Sequence, residues 1–171
     1  MFSESTERSL LASVIMKPTD LDLAKKWIEE PNVFYNDFHR NIWKTVLSLS
    51  DKKEDIDIVS VVHNYPQKKY VGKQLAYEIT ELATSEATSS RVEYYAKMLH
   101  SYWLRRELGN YSKRLGGLTE DNSNDISDLL NESHTIIGNL IKLQPAEEFS
   151  MDDLLEETRE SIFNRKTNIK T

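Results

Sequence analysis

The phosphate loop of P-loop nucleotide-hydrolysing motors is a glycine-rich turn that ends in lysine and a hydroxyl residue. The five glycines here, Gly72, Gly109, Gly116, Gly117 and Gly138, open no G-x-x-x-x-G-K-[ST] pattern. The histidines His39, His63, His100 and His134 are scattered, without an H-x-x-x-H pair or a neighbouring ligand set. They read as surface or hydrogen-bonded histidines, with His39-Arg40 orienting an aromatic turn. The acidic run Glu54, Asp55, Asp57 lacks the loop glycine and terminal glutamate of an EF-hand, and Asp57 reads as a helix cap. Asp152, Asp153, Glu156 and Glu157 have the composition of acid–base carboxylates, but a solvated first helical turn accounts for them. No catalytic, cofactor-binding or metal-ligating residue is assigned, and no enzyme activity is expected of this segment.

Nucleic-acid binding has one set of candidates. Tyr94, Tyr95, Tyr102, Trp103, Arg105 and Arg106 interleave aromatics with bases, a combination that stacks single-stranded bases. Helical spacing sends them to several faces, which reads as core and surface packing. Lys68, Lys69 and Lys73 form a small basic patch read as a solvated loop. The 22 basic and 28 acidic residues leave a net charge of -6, so direct DNA contact is expected to be weak or absent. There are no cysteines, and the opening MFSESTERS has no basic or apolar signal region. No apolar run approaches the roughly eighteen residues of a membrane span. A cytoplasmic location and no membrane partner are expected.

The elements that position these residues are helices. Low glycine content and repeated 3.6-residue apolar stripes predict an all-α chain of about eight helices. The first carries Leu10, Leu11, Val14 and Ile15. Thr19 or Asp20 caps the second, whose Leu21, Ala24, Trp27 and Ile28 face inward until Pro31. The third starts near Asn36 or Asp37 and buries Phe38, Ile42, Trp43, Val46 and Leu47. Asp57 caps a short fourth helix with Ile58, Val61 and Val62; a fifth spans roughly 72–84 with Leu75, Ile79 and Leu82. Ser90 and Glu93 form a capping box for a long helix to about Leu115, where Gly116-Gly117 reads as the stop.

That long helix changes face. Val92, Tyr95, Leu99 and Tyr102 make one line, and Leu104, Leu108, Tyr111 and Leu115 another, so its second half projects to a second packing partner. Asn124 or Asp125 caps the next helix, striped by Ile126, Leu130, Ser133, Ile137 and Leu140 and widened by Leu129, Ile136 and Ile141. Two long helices joined by a short loop form an antiparallel hairpin with more apolar positions than one neighbour covers. Leu104, Leu108, Tyr111, Leu115, Ile126, Leu130, Ile137 and Leu140 are the expected self-association residues. After the QPAEEF linker, Ser150 and Asp153 open a last helix. Its narrow apolar set of Met151, Leu154, Leu155, Ile162 and Phe163 reads as a docking peg.

The order of these segments resembles the amino-terminal domain of DnaB-type replicative DNA helicases. The blocks that carry the resemblance begin with Ser9-Leu10-Leu11-Ala12-Ser13-Val14-Ile15 and Phe34-Tyr35 with Phe38-His39-Arg40-Ile42. Ile56-Asp57-Ile58-Val59 and Leu75-Ala76-Tyr77 with Glu81-Leu82 follow. ATSSRVEYYAKML lacks the proline usual before that helix, a single glycine stands near Gly72 where a pair is common, and the hairpin diverges most. The resemblance implies a helical head over 1–100, a dimerising hairpin over 90–143, a linker over 144–149, a linker helix over 150–165 and a tail over 166–171. It also implies that hairpins pair, that three dimers form a hexameric collar, and that the linker helix docks on a neighbouring subunit. A DnaG-type primase and a helicase loader are the implied partners at the replication fork; ATP and Mg would belong to the parent's motor. A stand-alone helical adaptor or loader-type protein of a phage or mobile element is the rival reading.

Overall fold

The computed structural model describes residues 2–66, 73–85, 91–121 and 125–143. Seven α-helices and two 3-10 turns occur among them, and no strand. The helices are α1 (Glu4–Met16), α2 (Leu21–Lys25), α3 (Asp37–Asp51), α4 (Ile58–Asn64), α5 (Lys73–Ser85), α6 (Val92–Glu120) and α7 (Ile126–Lys142). The expected all-α class holds.

The head is built around α1, which packs on α2, α3, α5 and α6. Its central run from Ser9 to Ile15 is buried on every side, as a helix in the middle of a bundle must be. The core joins Leu10, Leu11, Ile28, Phe34, Trp43, Ile79 and Leu99, all essentially inaccessible to water. Trp43 lies against Phe34 with ring centroids 5.5 Å apart. Arg8 crosses from α1 to Glu81 on α5 at 2.8 Å. Among the described residues, no helix is long and apolar enough to cross a membrane.

The caps follow local chemistry. Asn36 accepts from the Phe38 amide at 2.9 Å, and Asp57 from the Ser60 amide at 2.7 Å. Asp125 accepts from Ser127 at 2.7 Å, whereas Asp20 makes no cap bond to α2 and instead pairs with Lys17. The α3 stop uses no glycine. Lys53 adopts a left-handed φ of 58°, its amide bonds Ser50 O at 3.0 Å, and the Glu54 amide bonds Leu49 O at 3.0 Å. Those two bonds close the last turn by satisfying carbonyls a helix end leaves open.

Two expected boundaries are corrected. The second helix ends at Lys25 rather than at Pro31. Beyond it the Trp27 and Ile28 amides both turn back onto Ala24 O, at 3.1 and 3.0 Å, and a 3-10 turn occupies Pro31–Val33. The long helix does not stop at Gly116-Gly117 but runs through both to Glu120. Packing against α7 outweighs the roughly 1 kcal/mol that each helical glycine costs. The long helix is preceded by Arg91, which makes no side-chain cap bond, and Glu93 pairs with Lys97 at 3.1 Å; Ser90 itself and the Ser150 capping box lie outside the described residues.

Candidate self-association and docking surfaces

The first anchored feature is the turn over residues 34–36. Glu7 on α1 is buried, and its carboxylate accepts from the Tyr35 amide at 2.6 Å, the Asn36 amide at 3.3 Å and His39 Nδ1 at 2.7 Å. Arg40 closes the turn from the other side, donating to Phe34 O at 2.9 Å and to Asp37 at 2.6 Å. His39-Arg40 therefore orients the aromatic turn, as its sequence position indicates. Glu7 was missed, because a glutamate in the first turn of a helix reads as a solvated dipole partner. Its only sequence signal is that an apolar run follows directly.

The second feature is the junction between head and hairpin. Arg106, midway along α6, donates to Val33 O at 2.7 Å and lies 5.6 Å over the Tyr35 ring. Burial pulls its guanidinium below the ordinary value, while the Glu7 carboxylate opposes that pull. Nearly two turns back, His100 sits between Trp27 and Trp103, with ring centroids 6.1 and 5.5 Å away. A small cavity of about 130 Å³ lies there, closed in part by Lys142 and Leu143 at the end of α7. Burial lowers the His100 pKa, and a hydrogen bond with the Leu143 backbone works in the opposite sense. The hairpin thus returns its far end to the head.

The third feature is the hairpin itself. Leu129, Ile136 and Leu140 turn towards α6, where Tyr111 is buried and Leu104 and Leu115 are half-buried. Arg114 on α6 and Glu132 on α7 form an ion pair across the hairpin. Ile126, Leu130, Ile137 and Ile141 share a different α7 face, within about 60° of arc at roughly 100° per residue. Among the described residues nothing covers that face: Ile126 is 64% exposed, Leu130 63% and Ile141 61%, with Ile137 also exposed, and on α6 Leu108 is exposed as well. The single wide stripe read from the sequence is thus two stripes. Met151, Leu154, Leu155, Ile162 and Phe163 lie outside the described residues, as do Lys68 and Lys69.

Among the described residues, no group of three or more metal-ligating side chains comes together. The geometry has the makings of a scaffold: a rigid head, a helix leaving it, and a hairpin with one apolar face turned outwards. Residues 2–101 match the family model described as the DnaB-like helicase N terminal domain. The chain belongs to that family.

It is similar to the replicative DNA helicase DnaC of Bacillus subtilis (strain 168), 28% identical over 95% of this chain and 37% of that protein. The replicative DNA helicase DnaB of Geobacillus stearothermophilus is 26% identical over 94% and 36%. The chain thus spans little more than a third of the length of these relatives. Its fold is like that of the N-terminal domain of DnaB helicase from Mycobacterium tuberculosis, with a TM-score of 0.70 and 18% identity over 80% of this chain and 96% of that one. A solved DnaB-like replicative helicase, described with its interactions with primase, has a TM-score of 0.62 and 20% identity, over 92% of this chain and 35% of that one.

Proposed function

We propose that this chain is the collar of a replicative DNA helicase, assembling subunits through its hairpin and offering a surface to primase. The observation that supports the reading is the set of apolar hairpin side chains left exposed among the described residues, Leu108 on α6 and Ile126, Leu130, Ile137 and Ile141 on α7. Removing that much apolar surface from water returns on the order of 10 kcal/mol per protomer, comparable with the roughly 4–15 kcal/mol that association costs. A second copy presenting the same face is the natural cover in a two-fold dimer.

In this reading, three such dimers form a hexameric collar. The 150–165 segment docks Met151, Leu154, Leu155, Ile162 and Phe163 on a neighbouring subunit's motor. A DnaG-type primase binds the collar, as the similar primase-associated helicase supports, and a helicase loader shares that surface. ATP and Mg serve the parent's motor, and the work is done at the replication fork in the cytoplasm.

The test is solution mass by light scattering across a concentration series, with Leu130→Asp and Ile126→Asp alongside. Both side chains are exposed in the single chain, so the substitutions spare the fold. A dimer or hexamer that either variant splits supports the reading. A parent that stays monomeric throughout, or variants that assemble like the parent, would sink the hairpin assignment.

A further inference from the structure

One groove on this acidic chain is cationic. It lies where α6 leaves the head, between the turn over residues 32–40 and the α6 face that carries Trp103, Arg106, Asn110 and Lys113, and its volume is about 580 Å³. Among the described residues, four cations line it, Arg40, Arg105, Arg106 and Lys113, against the single carboxylate of Glu107. In a chain with 28 acidic and 22 basic residues, that segregation runs against the bulk.

The cations differ in how they are held. Arg106 donates to Val33 O and Arg40 to Phe34 O and Tyr35 O, so backbone carbonyls hold both guanidiniums in place. Arg40 also meets Asp37, whose carboxylate is largely in water. Arg105 and Lys113 are exposed at the rim, with no ion-pair or hydrogen-bond partner among the described residues. Two anchored charges with two exposed ones beside them form a seat for an extended anion. Arg106 and Lys113 are about 10 Å apart along the helix at a rise of ~1.5 Å per residue, a span that suits an extended anion.

Groups other than cations decide what the anion is. Asn32 and Asn110 line the same groove, and each carboxamide offers both a donor and an acceptor. Trp103 adds half-buried indole surface. An acidic peptide needs only the cations, whereas a nucleic-acid strand uses the cations for phosphate and the amides and indole for its bases. A groove of this size admits a strand segment of about two nucleotides with the roughly three phosphates that join and flank them.

We propose that this groove holds the phosphate backbone of a single nucleic-acid strand. Trp103, Arg105 and Arg106 carry part of it after all: the helix scatters them, but the turn over residues 32–40 comes up to meet them. With only about three phosphates engaged the contact is weak. Log affinity should fall against log salt with a slope of roughly -2, from about -0.7 per phosphate for single strands.

The experiment is fluorescence anisotropy of labelled oligothymidylate with the full 171-residue chain across a salt series. The Arg105→Glu/Lys113→Glu pair is the test, and Lys44→Glu/Lys52→Glu, the same charge change at exposed positions on and beside α3, is the control. We expect the first pair to weaken binding at least tenfold and flatten the salt slope, and the control to stay within about twofold. No binding at low salt, equal loss in both pairs, or displacement by polyglutamate as readily as by unlabelled strand would overturn the proposal. The last result would assign the groove to an acidic protein segment.

Discussion

Glu7 on α1 and His39 on α3 meet at 2.7 Å inside the head, both almost fully excluded from water. The pair bridges residues far apart in sequence, and the same carboxylate holds the Tyr35 and Asn36 amides. The turn that faces the α6 groove is therefore fastened to the central helix of the core. A buried carboxylate is costly unless its oxygens are satisfied, and here three donors satisfy them.

Glu7→Ala strands three donors in the interior. Removing one partner of such a buried pair should cost about 3–5 kcal/mol, read from urea denaturation. The Glu7→Leu/His39→Leu double variant should lose less than the two single changes together, because the partners share one network. Strictly additive losses would show that α1 and the turn are held by separate contacts.

His100 gives the chain a pH dependence with a definite sign. Burial between Trp27 and Trp103 sets its folded pKa below the ordinary 6.5. The unfolded chain then binds the proton first, so stability is fullest above pH 6.5 and declines as the pH falls through that value towards the folded one. His100→Gln should remove this part of the decline. Denaturation midpoints between pH 7.5 and 5 check it, and identical slopes in parent and variant would place His100 in contact with water.

Much of the head was legible because helix capping and apolar period are local. Asn36, Asp57 and Asp125 sit before their helices where a side-chain acceptor is needed, and Trp43 falls on the apolar stripe of α3. The hairpin was legible as a hairpin, but not in its division of labour: apolar residues inside and outside it have the same type, and only the α6 contact separates Leu129 from Leu130. Glu7 and the α6 groove were illegible for a different reason. Each depends on a turn brought in from another part of the chain, and no local pattern records that meeting.

The end of α3 offers a test of backbone strain. Lys53 holds a left-handed φ of 58° that a side chain disfavours by about 1 kcal/mol. Both amide bonds of the stop come from the backbone, at Lys53 and Glu54, so the side chain is dispensable. Lys53→Gly should therefore raise stability by roughly 1 kcal/mol. A loss in thermal unfolding would mean that the lysine side chain makes a contribution larger than the strain it imposes.

Gly116 and Gly117 make the opposite prediction, and the pair distinguishes a helix stop from a continuous helix. In a stop, glycine occupies the left-handed region and alanine is penalised. Here neither glycine has a left-handed φ, both lie within α6, and a Cβ built on either meets nothing within 4 Å. Gly116→Ala and Gly117→Ala should each add about 0.5–1 kcal/mol by removing freedom from the unfolded chain and improving helix propensity. Thermal unfolding at one fixed protein concentration is the check, since assembly would shift the midpoint by mass action. If both alanines destabilise, α6 ends where the glycines begin. The four residues beyond Gly116 then belong to the connection, which would lengthen at the hairpin tip and loosen the register that sets Ile126 and Leu130 on the outer face.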